Sequence, residues 1–152
     1  MLKKTLGATI FMFIAGLAFG QTIDSLKLND NEIPTGYSKS NQLLCASTYA
    51  SSFYEQTDLY ETILGKIVKK EFQSFDKKGD KGSILYFEFE KEFNGGSFLN
   101  GLLWGQNSKP TKSASDEYYS KGKILIIWSF NLKSELKQIS KTKVVKLFNE
   151  NK

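Results

Sequence analysis

The run KILIIWSF, residues 123–130, constrains this chain more than any other stretch. Every residue from Ile124 to Trp128 is apolar, so neither face of an extended segment there can stay wet. It reads as a central strand that must be covered on both sides. A second strand is predicted over ILYFEFEKEF, 84–93. Leu85, Phe87 and Phe89 alternate there with Tyr86, Glu88 and Glu90. Upstream, KIVKKEFQSF (66–75) reads as its hairpin partner with Val68, Phe72 and Ile67 inward, and DKKGDKG forms a long connecting loop.

Helices are expected to supply the covers. Thr57-Asp58 looks like a helix start, with Leu59, Ile63 and Leu64 on one apolar face and Gly65 as its terminator. In GGSFLNGLLWGQ, 95–106, Ser97 is positioned to cap a short helix that Gly105 ends. Ser115-Asp116-Glu117 reads as a capped helical turn through Tyr119, stopped by Gly122. From Leu132 to about Leu147, the spacing of Leu132, Leu136 and Ile139 predicts an amphipathic helix. QLLCASTYA, 42–50, fits a short strand or a helix start equally well. The expected class is α+β: a mostly antiparallel sheet of three to five strands with helices packed on it, the last of them C-terminal.

The first twenty residues, MLKKTLGATIFMFIAGLAFG, place Lys3 and Lys4 before an apolar run and Ala18-Phe19-Gly20 at its end. That order is the pattern of a secretory signal peptide. The apolar run falls short of the roughly 20 residues a membrane span needs. Residues 21–41 are polar and punctuated by Pro34 and Gly36, and read as a flexible leader. Residues 42–152 then form a single globular domain, large enough to build a core without staples. The expected location is the periplasm or the exterior of a bacterium.

Composition removes several chemistries. There is no histidine, so the usual general base, the commonest metal ligand and every Ser-His or Cys-His nucleophile are absent. The lone cysteine, Cys45, makes no intramolecular disulfide and has apolar neighbours, so it is expected as a small buried hydrophobe. Neither metal nor cofactor is expected. The net charge is +5, carried by 21 lysines and no arginine, which argues against nucleic acid as partner. Glu88 and Glu90, about 7 Å apart at two residues' rise, resemble a hydrolytic carboxylate pair. A solvent-facing edge balanced by Lys69 or Lys70 is the stronger reading of them. Asp116 and Glu117 are further carboxylate candidates. Ser134-x-x-Lys137 has the spacing of serine–lysine hydrolases but lacks their companion motifs.

Aromatic side chains make up 14% of the chain. Trp104, Tyr118, Tyr119 and Trp128 are the candidate binding residues, since such rings join apolar area to a polar handle. The leading expectation is a non-catalytic exported domain that binds a protein or envelope component, as inhibitor or immunity proteins do. The alternatives are a saccharide- or lipid-binding protein and a carboxylate-based hydrolase.

Overall fold

The computed structural model describes residues 20–150. The stretch read as a signal peptide, apart from Gly20, lies outside them. The α+β architecture is as expected. Five strands form one antiparallel sheet: β1 (Ser38–Ser40), β2 (Ile67–Lys77), β3 (Asp80–Phe89), β4 (Glu117–Lys121) and β5 (Ile124–Ser129), in the order β1-β2-β3-β5-β4. The helices are α1 (Ile23–Leu26), α2 (Thr48–Glu55), α3 (Glu61–Leu64), α4 (Gly96–Trp104) and α5 (Glu135–Glu150).

β5 explains the layering. All six of its residues are buried, and it lies between β3 and β4. Ile124, Ile126 and Trp128 point to one face, where α1 and α5 add Ile23, Leu26, Leu136, Val144 and Phe148. Leu125 and Ile127 point to the other, with Phe53 of α2, Leu64 of α3, and Leu99 and Leu103 of α4. A strand apolar on both faces is stable only inside such a sandwich. The same holds for β3: Leu85, Phe87 and Phe89 share a face as expected, but Ile84 and Tyr86 opposite them are also fully buried.

Several local expectations are corrected. The β2–β3 loop is a tight two-residue turn at Lys78-Gly79, with Lys77 paired to Asp80 and Gly79 at φ 81°. Gly122 has φ 59° in the turn between β4 and β5, so the segment read as a helical turn ending at Tyr119 is an edge strand. Alternating side chains on both faces of a sheet outweighed the Ser-Asp-Glu cap signal there. α4 begins at Gly96 with Gly95 at its cap position, not Ser97. The C-terminal helix starts later than predicted, because Ser134 caps it by accepting the Lys137 N–H at 3.2 Å.

Residues 21–41 are not a flexible leader. Ile23, Leu26 and Leu28 are buried under α5 and β3, and Gln73 exchanges two hydrogen bonds with the backbone of Leu28, at 2.9 and 3.0 Å. The Tyr37 hydroxyl donates to Asp80, which also accepts from Ser134 at 2.9 Å. The three buried apolar residues are sparse in a polar stretch, so composition conceals them.

Candidate functional site

The four aromatic residues singled out by sequence do not meet. Tyr118 and Tyr119 are neighbours on β4, so their side chains leave opposite faces of the sheet. Tyr118 joins Trp104 of α4, with ring centroids 5.7 Å apart. Tyr119 packs on Phe148 of α5 instead. Trp128 is 0% exposed in the α5-side core, where its indole N–H donates to Ser140 Oγ at 2.8 Å. A ligand pocket lined by all four is therefore ruled out by the sheet between them. Even the Trp104–Tyr118 pair keeps its polar atoms occupied. The Trp104 indole donates to the Asp116 carbonyl at 2.7 Å, and the Tyr118 hydroxyl donates to Asn100 Oδ1 at 2.6 Å. Both residues are half-buried and staple α4 to the sheet edge.

The serine–lysine spacing also has a structural use. The Lys137 ammonium is 0% exposed and reaches Glu117 Oε2 at 2.5 Å and the Leu132 carbonyl at 2.9 Å. Ser134 Oγ is committed to Asp80 and to capping α5. Of the carboxylate pair, Glu88 is half-buried with Lys69 directly opposite on β2, while Glu90 is exposed beyond the end of β3. Lys70 turns away to donate to the Tyr54 carbonyl at 2.5 Å. Among the described residues, no group of three or more Cys, Asp or Glu side chains is placed to hold a metal ion.

A polar row lies on the α2 face. Ser74, Ser83 and Ser129 are in register across β2, β3 and β5. Ser74 and Ser83 share a 2.6 Å hydrogen bond, Ser83 Oγ accepts the Leu44 N–H at 2.8 Å, and Ser129 Oγ accepts the Ala46 N–H at 2.9 Å. The irregular segment Leu44–Ser47 thus finds partners for its backbone on hydroxyls of the sheet. Cys45 sits within it, half-buried, and burial pushes its thiol up to about 12, despite hydrogen bonds with Ser129 and Ser83. A protonated thiol is a poor nucleophile.

Asp116 closes the row. It is fully buried, accepts a hydrogen bond from the Ser47 hydroxyl, and leaves Oδ1 without a partner among the described residues. Burial raises its pKa above 3.8, against the opposing pull of Ser129, Ser47 and Lys137. The folded state therefore holds this proton more tightly than the unfolded chain. Stability should fall as pH rises from 3.8 through the raised value. Asp116→Asn keeps an acceptor for Ser47 and cannot titrate. Its urea midpoint should gain on wild type as pH rises across that window; a constant difference would contradict the assignment.

What the protein displays lies elsewhere. Leu59 is 68% exposed, Ile63 58% and Val68 54%. Only Leu64 of the expected apolar face goes inward. The reason is local. A 3-10 turn over Thr57–Tyr60 precedes α3, so the segment is not one continuous helix and its phase slips. Val68 is turned out where the β2 register shifts between Ile67 and Lys69. Tyr49 of α2 is exposed as well, at 58%. Beneath them a chain of tilted and edge-to-face rings runs from Phe72 through Tyr54, Phe87, Phe53 and Tyr60 to Phe98, at centroid distances of 4.9–6.0 Å. A shallow cleft of about 360 Å³ adjoins Ile63, between α3 and the loop after β3. The chain matches no protein-family model, no curated protein and no solved structure. Its function is therefore read from this surface. Sequence held one signal for it: residues 41–65 contain no lysine, a gap that runs from Lys39 to Lys66.

Proposed function

We propose that the protein is an exported, non-catalytic domain whose α2–α3 face binds another protein of the cell envelope or its surroundings. The observation that carries this is the outward display of Leu59 and Ile63 on a rigid aromatic base. Exposed apolar side chains grouped on a well-packed support favour a macromolecular partner. Export rests on the N-terminal order of Lys3-Lys4, apolar run and small residues. No helix among the described residues is long and apolar enough to cross a membrane. The non-catalytic reading is supported by the occupied Ser134, Lys137 and Glu117 side chains and by the protonated Cys45 thiol. The test is photocrosslinking from position 59 in the living cell, which should give a discrete protein adduct. A chain that forms none under conditions of normal expression would contradict the proposal.

A further inference from the structure

The charge around Leu59 and Ile63 is opposite to that of the chain. The whole sequence carries +5, yet residues 41–65 hold Glu55, Asp58 and Glu61 and no lysine. Glu55 and Asp58 are exposed, and Glu61 is half-buried. None of the three is taken up by a salt bridge among the described residues. At the far end of the sheet Lys77, Lys78 and Lys81 surround the β2–β3 turn, together with Asp76 and Asp80. In the cleft beside Ile63, Glu90 and Glu92 stand with Lys66 and Lys91, so together with Glu55, Asp58 and Glu61 the face is acidic on balance. Such a face repels an anionic lipid surface, which attracts lysine instead. The face suits a protein segment that is apolar in its centre and lysine- or arginine-rich at its rim.

Resting on the protein-binding reading above, we infer that the α2–α3 face takes a basic amphipathic segment of a partner protein. Leu59 and Ile63 meet its apolar stripe, and Glu55, Asp58 and Glu61 meet its cations. Leu59 lies in the 3-10 turn and Ile63 in α3, so the two offer separate apolar contacts to that stripe.

The test uses two designed amphipathic helical peptides of equal length and leucine content, one with lysines and one with glutamates on the polar face. Each is titrated calorimetrically into the protein at low and moderate salt. The lysine peptide should bind at least about tenfold more tightly than the glutamate peptide, and salt should weaken it. Leu59→Ser with Ile63→Ser should reduce that affinity by about tenfold or more without lowering the thermal midpoint, since both sites are solvent-facing. Glu55→Gln, Asp58→Asn and Glu61→Gln together should remove the salt dependence. Equal binding of the two peptides, no binding of either, or full binding by the Leu59/Ile63 variant would overturn the inference. So would self-association in sedimentation that Ile63→Ser abolishes, because the face would then belong to a second copy with its lysine-rich turn. If crosslinking from position 59 still yields a protein while these peptides fail, the partner's chemistry is wrong and the binding face stands. If crosslinking fails too, the binding reading falls with it.

Discussion

Gly82→Ala should destabilise the protein by about 3 kcal/mol or more. Gly82 lies in β3 opposite Phe75, one residue from the Ser83–Ser129 pairing with β5. A Cβ built there comes under 3.0 Å from the Ser129 carbonyl oxygen and from two ring carbons of Phe130. Neither neighbour has room to yield. The carbonyl belongs to the backbone of a fully buried strand, and Phe130 is itself 0% exposed. The crossing of Phe130 over β3 therefore requires a hydrogen at this position, for lack of space and not for backbone freedom. Gly101→Ala is the contrasting change. It lies in α4 with nothing within 4 Å of its would-be Cβ. Alanine there should stabilise by about 0.5–1 kcal/mol through helix propensity. Urea midpoints of the two variants should move in opposite directions; equal shifts would contradict the packing described.

Glu117→Ala should cost about 3–5 kcal/mol, because it strands a buried ammonium. Glu117 on β4 receives Lys137 at 2.5 Å and Lys141 at 2.6 Å, both from α5. Lys137 is wholly buried and would keep only the Leu132 carbonyl. Lys137→Met should cost much less. The thioether fills similar volume, and Glu117 is left with Lys141 and some access to water. This asymmetry separates a buried charge held by one partner from a generic salt bridge, in which both deletions would cost alike. The pH dependence follows from the same contacts. Burial raises the Glu117 pKa, but the hydrogen bonds from Lys137 and Lys141 outweigh it and hold the carboxyl below 4.5. Its contribution is therefore present above that value and lost as acid takes pH through the lowered one. Glu117→Gln should flatten stability over that acidic window.

The sheet was readable because its signals are strong and local. Ile124–Trp128 cannot be solvated on either face, and Leu85, Phe87 and Phe89 keep strict alternation. Edges and short turns were not readable. β4 looked helical because Ser115, Asp116 and Glu117 resemble a cap, and only pairing with β5 decides otherwise. The core contribution of Ile23, Leu26 and Leu28 depends on contacts with α5, more than a hundred residues away in the chain, and a polar composition hides it. The four aromatic residues expected to bind a ligand are not brought together, for a related reason. Trp and Tyr mark interfaces on average, but the indole of Trp128 found its polar partner inside, at Ser140. Leu59 and Ile63 were assigned inward by a helical period that the 3-10 turn interrupts. The face they form was visible only as a gap in the lysines.

The most direct measurement is photocrosslinking with the reactive residue placed in turn at Leu59, Ile63 and Lys78. Lys78 is exposed at the far end of the strand that begins just after α3, about 30 Å away at a strand's rise per residue. Discrete adducts with one protein from positions 59 and 63, and none from 78, are the predicted result. Adducts of equal yield from all three positions, or from 78 alone, would contradict the assignment of the α2–α3 face as the working surface of this protein.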